Sequence, residues 1–202
     1  MLYGLVLVAI TLFIFGCAKN IKQTVSKVNE PLLQMAKGFS ENNQLVIDEV
    51  QSFLIDKEHY FKVHEGQLVE RGIYDPSEIT RPVVLIDALM KVNKLVYQDG
   101  SSEPNDTLLL LNKLSDNKLS NNECFQQLIS YFSNTKYGIG TYLGQKGDWP
   151  SIFECIKKSG FVLLAIDEDS DALPLVLVKT KDLPTVINIA KEAKINLWFT
   201  DQ

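Results

Sequence analysis

Three aspartates, Asp167, Asp169 and Asp171, stand at alternate positions in the run Asp167-Glu168-Asp169-Ser170-Asp171. Alternate carboxylates over five residues offer oxygen donors at a spacing that a hard cation such as calcium can use. The glycine and the distant bidentate Glu of a helix–loop–helix calcium loop are missing from this stretch. Asp and Ser also bond their own backbone in tight turns. The segment therefore reads first as a solvated turn, with a cation site or a partner contact at Asp167, Asp169 and Asp171 as the functional alternatives. The two histidines, His59 and His64, lie five residues apart. On a helix this puts them about 140° apart, a poor shared metal face where a spacing of four would serve. Cys17, Cys124 and Cys155 match no zinc spacing and are too few for a disulfide scaffold. Cys124 and Cys155 can pair in an oxidising compartment, pack as separate buried thiols, or supply a nucleophile beside a histidine. Gly138-Ile139-Gly140-Thr141-Tyr142-Leu143-Gly144 lacks the Gly-Lys-Ser/Thr ending of a phosphate loop, and no Gly-x-Ser-x-Gly elbow occurs. No cofactor or metal is expected from these patterns, and no coherent catalytic constellation emerges.

The elements that would position these residues are helical first and strand-bearing last. Leu45, Val46, Val50, Phe53 and Leu54 share a helical stripe over about Glu41–Lys57, with Ser40 as the expected cap. Tyr60-Phe61-Lys62-Val63-His64 fits a strand or a helix continuation. Asp75-Pro76 opens the clearest helical pattern, with Pro82 as a kink or the true start. Leu95-Val96-Tyr97 fits a short strand before the turn-rich Gln98–Ser102. Helices follow from Pro104 to Leu114, from about Glu123 to Phe132, and from Asp148 to Lys158, which Gly160 ends. Phe161–Ile166 and Leu173–Val178 are uncharged apolar runs on either side of the acidic segment, and read as two buried strands. Asp182 then caps a helix with Pro184 in its first turn and Val186, Ile187, Ala190 and Ala193 facing inward. Ile195, Leu197 and Phe199 alternate as a last strand. The order predicts an α+β fold, with helices in the N-terminal two-thirds and a small sheet in a C-terminal helix–strand–strand–helix–strand unit.

The chain has 202 residues, 46% hydrophobic and 22% charged, with a formal net charge of −5. A normal core is available, and no basic footprint suits nucleic acid. Met1 to Ala18 carries no charged side chain; Lys19 is the first. This run has the length of a signal-peptide apolar region and is short for a membrane span. We expect residues 1–18 to be a signal peptide or membrane anchor, 19–39 a tether merging into a short helix around Leu32–Lys37, and 40–202 a single α+β domain.

Ile14-Phe15-Gly16-Cys17 resembles the lipobox of bacterial lipoprotein signal peptides, although Phe15 stands where a small residue is usual. The resemblance implies lipidation of the Cys17 sulfur and cleavage before it. Each buried methylene of such an anchor contributes about 0.8 kcal/mol. The alternative is one uncleaved anchor helix; Lys19, Lys22 and Lys27 after it would then favour a cytoplasmic domain.

The ending resembles the bacterial family catalogued as domain of unknown function 6630. In that family an apolar strand closes in Ile-Asp, and a turn containing Ser-Asp leads to a second apolar strand and a helix. Asp167, Ser170 and Asp171 match that pattern, while Glu168, Asp169, Ala172 and Leu173 depart from it. Asp75-Pro76, Leu85-Ile86-Asp87-Ala88-Leu89 and Leu95-Val96-Tyr97-Gln98-Asp99 are similar to its middle segment, so the likeness spans about Ile73 to Phe199. It implies a fold and no activity.

The function expected from the sequence is a lipid-anchored envelope protein facing the periplasm. Its domain would bind another, unidentified protein without catalysis, as an immunity-type inhibitor of a toxin does. A thiol- or metal-dependent periplasmic hydrolase using Cys155 or His64, and a structural envelope lipoprotein, are the competing classes. The partners expected are the membrane, through the lipid, and that protein, with no nucleic acid.

Overall fold

In the computed structural model the described residues are 30–99, 102–134 and 148–199. Cys17, Tyr137, Tyr142 and the glycines from Gly138 to Gly147 lie outside them. The first described helix, α1 (Pro31–Ser40), starts on a proline, and the Glu30 carboxylate accepts the Leu32 N–H at 2.8 Å. It buries Leu32, Leu33, Met35 and Ala36. Residues 31–39 are thus a core element: the short helix expected around Leu32–Lys37 at the end of the 19–39 tether runs from Pro31 to Ser40 and packs into the core. Four apolar side chains on one face of a ten-residue helix would have no reason to stay in water.

Ser40 closes α1 instead of capping the next helix. Glu41 and Asn42 adopt left-handed backbone (φ 55° and 64°), and the Asn43 side chain caps α2 (Gln44–Ile55). Asp56 ends α2, and its Oδ1 accepts the His59 N–H at 2.9 Å, so one residue divides α2 from α3 (Lys57–Glu70). Tyr60 to His64 is therefore helix. Asp75 and Glu78 form a reciprocal capping box around a single 3-10 turn, Pro76–Glu78. The helix proper, α4 (Arg81–Lys91), begins later, capped by the Thr80 hydroxyl, with Pro82 in its first turn, where the missing N–H donor costs no intrahelical hydrogen bond.

After β1 (Val96–Gln98) come α5 (Pro104–Leu114), α6 (Glu123–Asn134) and α7 (Asp148–Lys158). Then follow β2 (Phe161–Ile166), β3 (Leu173–Lys179), α8 (Leu183–Ala193) and β4 (Leu197–Phe199). Gly160, at φ 82°, makes the turn out of α7 that an L side chain would resist. In α8, Ile187 is exposed instead of facing inward. The four strands form one antiparallel sheet in the order β1–β3–β2–β4, with Leu163 opposite Leu177 and Val96 opposite Leu175. This is the α+β fold expected, with one addition: β1 from mid-chain completes the edge beside β3.

Both faces of the sheet are covered. Leu164, Ile166, Val176 and Val178 join residues of α1 to α4 and α8 in one core. Phe161, Leu163, Ala165 and Leu175 join α5, α6 and α7 in a second core on the opposite face. Burial on two sides is why β2 and β3 read as unbroken apolar runs instead of alternating ones. Arg81 bonds both Glu30, at 2.6 Å, and the Ala193 carbonyl at 3.3 Å, which ties the start of α1 to the end of α8.

Candidate functional site

The turn between β2 and β3 is built from its own side chains. Asp167 Oδ1 accepts the Asp169 N–H at 3.1 Å, Asp169 takes φ 65°, and the Ser170 hydroxyl accepts the Ala172 N–H at 3.1 Å. Asp167 Oδ2 also lies 3.5 Å from Asn196 Nδ2. The three aspartates are thus turn residues, and Asp169 and Asp171 face solvent. Among the described residues no group of three His, Cys, Asp or Glu side chains is placed to hold a metal ion.

The side chain that turns inward is the one between them. Glu168 is only 4% exposed. Its Oε2 lies 2.7 Å from Arg71 Nη2, while Oε1 accepts the Tyr97 hydroxyl at 2.6 Å and the Ser170 hydroxyl at 3.1 Å. Arg71, just after α3, also reaches Asp87 of α4 through Nη1 at 2.8 Å, and its guanidinium lies 5.7 Å from the centre of the Tyr97 ring. One cation is thereby clamped between two carboxylates over an aromatic face. Burial raises the Asp87 carboxyl above the ordinary carboxylate range; Arg71 opposes this, and Glu49 and Glu168 add to it. The Tyr97 hydroxyl is likewise raised, by burial first and then by its bond to Glu168.

A second knot adjoins it. Lys91 Nζ contacts both Glu49 oxygens, at 2.7 and 2.8 Å, and lies 3.5 Å from His64 Nδ1. Tyr60 is 1% exposed, its hydroxyl donates to Glu49 at 3.3 Å, and its ring lies 4.3 Å from that of His64. Burial, with the charges of Glu49 and Asp87, pushes the Tyr60 hydroxyl strongly upward. Burial and then Lys91 lower the His64 pKa against the opposing pull of Glu49. His59 is exposed on the first turn of α3.

Cys124 of α6 and Cys155 of α7 are joined in a disulfide, with Cα atoms 5.4 Å apart. Asn122 braces the same junction: its Oδ1 accepts the Cys124 N–H, and its Nδ2 donates to the Cys155 carbonyl and Ser159 Oγ. In this bridged form neither sulfur is available as a thiolate for His59 or His64.

The residues 41–80 stand apart electrostatically. They hold nine Asp and Glu against three Lys and Arg, a net −6 in a chain whose total is −5. Most of these acids are exposed, and α3 buries only Tyr60 and Leu68. Leu45, Ile55, Val63, Val69 and Tyr74 are exposed large apolar side chains on the same segment. Sequence reasoning passed over both this concentration of charge and Glu168. A running charge count shows the first. Strand parity shows the second, because Glu168 is in phase with Leu164 and Ile166, which face the core shared with α4.

No described helix is long and apolar enough to cross a membrane. A family model described as Domain of unknown function (DUF6630) matches residues 31–200. The match begins at α1, earlier than the likeness read from Ile73 onward. No curated protein and no solved structure matches the chain.

Proposed function

We propose a non-enzymatic, protein-binding role at the cell envelope for this chain, which belongs to the DUF6630 family over residues 31–200. The observation that carries the proposal is the acidic segment 41–80, with net −6 and five exposed large apolar side chains. A partner with a basic surface and apolar contacts is the complement of such a face. Charge of this kind speeds and orients encounter, while apolar contacts limit dissociation. An immunity-type inhibitor of a basic toxin is the specific form of this reading.

The charged cluster is consistent with it. Arg71, Asp87, Glu168 and Tyr97 hold one another in bonds of 2.6 to 2.8 Å, as a clasp holding α4, β1 and the 167–171 turn. The anchor in this proposal is lipidated Cys17, and an oxidising periplasm suits the Cys124–Cys155 bridge.

The test compares tagged full-length chain with a Glu58→Lys/Glu65→Lys/Glu70→Lys variant in capture from membranes. All three glutamates are exposed on α3. A stoichiometric complex is expected with the native chain only, weakening with salt, while both proteins melt alike. Equal capture by both would remove the acidic face from the account. For the anchor, a Cys17→Ser chain is expected to lose metabolic lipid label; retention of label would refute that part.

A further inference from the structure

At one end of the sheet the two helical layers part, where Phe161 at the start of β2 pairs with Lys179 at the end of β3. The gap is a cavity of about 310 Å³, bounded by α1, α8, these strand ends and the turn after α5. That volume falls within the size of small-molecule sites, roughly 300–1,000 Å³. Its apolar lining includes Met35, Phe39, Leu114, Leu177, Val186 and Ile189. Charged residues of both signs are equal in number around it: Glu41, Asp116 and Asp182 against Lys94, Lys118 and Lys179. Four of them are already paired, Lys94 with Glu41 at 2.6 Å and Lys118 with Asp116 at 3.6 Å.

Gly38 gives the second observation. It lies inside α1, where glycine is a poor helix former, and it lines this cavity. A Cβ built on it meets nothing within 4 Å. Packing inside the helix therefore does not demand the glycine. What its missing side chain does is leave the cavity wall open.

We infer that this cavity is a binding site for a small uncharged amphiphile, with its apolar body against Met35, Phe39, Leu177 and Ile189 and a dipolar head at the rim. An apolar lining favours a hydrocarbon or aromatic body. A rim of balanced charges, four of the six already paired with one another, offers no net surplus of either sign to an ionic head, which would lose water for little gain. The site lies apart from the acidic face of α3 and does not depend on the role proposed for it.

The probe is N-phenyl-1-naphthylamine, a neutral dye that brightens in apolar sites, compared with its sulfonated analogue 8-anilinonaphthalene-1-sulfonate. The full chain is expected to bind the neutral dye saturably at one site, and the anion about tenfold or more weakly, since its charge would be buried unpaired. Gly38→Leu fills the opening and is expected to abolish the site while leaving the melting temperature equal or higher. Thr185→Phe closes the same cavity from an exposed position on α8, and provides a second folded variant. Unsaturable binding, or a signal unchanged in both folded variants, overturns the site. Equal affinity for the two dyes overturns the uncharged ligand class.

Discussion

Replacing Glu168 with alanine removes, in one change, the partners of Arg71, Tyr97 and Ser170 in the β2–β3 turn. A charge-assisted hydrogen bond contributes about 1.5–3 kcal/mol and a neutral one about 1. Stripping one partner from a buried ion pair costs about 3–5 kcal/mol. Here Arg71 is 22% exposed and keeps Asp87 at 2.8 Å, so the loss falls below that range. We expect Glu168→Ala to destabilise the fold by about 2–3 kcal/mol, and Glu168→Gln, which keeps an acceptor but not the charge, by about 1. The control is Asp169→Gly. Asp169 is exposed at φ 65°, a conformation that glycine accepts freely, so its change is expected within about 0.5 kcal/mol. Urea unfolding followed by circular dichroism reads all three; with a slope of about 2 kcal/mol/M, Glu168→Ala lowers the midpoint by roughly 1 M. If Asp169→Gly proves as damaging as Glu168→Ala, the inward carboxylate is not what holds this turn.

The Cys124–Cys155 bridge spans a sequence separation of 31, for which the loop-entropy relation gives about 3–4 kcal/mol. A Cys124→Ser/Cys155→Ser chain should therefore melt well below the native protein by calorimetry, and a reductant should shift only the native protein. His64 has a lowered pKa, so the folded state resists its protonation. The stability it contributes is complete above its ordinary value of 6.5 and is lost as pH falls through that value toward the folded one. His64→Asn should flatten the fall in urea midpoint between about pH 7 and pH 5; parallel curves for the two proteins would rule His64 out as its source.

Much of the fold was legible because its strongest signals are local. Two apolar runs around an acidic segment, a glycine after α7 and prolines in the first turns of α5 and α8 each depend on residues close by. Boundaries failed where one residue served two elements. Ser40 ends α1 while its hydroxyl accepts the Asn43 N–H at 3.2 Å, and Asp56 closes α2 while opening α3. The short helix expected around Leu32–Lys37 at the end of the tether proved longer, Pro31–Ser40, because its buried face reaches the core that distant elements complete. The clasp was illegible for another reason: Arg71 and Glu168 are 97 residues apart, and neither has a neighbour in sequence that announces the other. Spacing drew notice to Asp167, Asp169 and Asp171, although the pleat of β2 carries the intervening residue toward the core.

The pairing of β1 with β3, and the bonds from Arg81 to both Glu30 and the Ala193 carbonyl, bear on how the chain is made. While a ribosome is still adding residues 100–170, α1 lacks α8 and β1 lacks any neighbouring strand. The side of α1 that α8 covers therefore waits until nearly the last residues emerge, while α2 and α4 are available to its other side much earlier. Loss of the final helix would uncover that side of α1 and leave Arg81 without the Ala193 carbonyl.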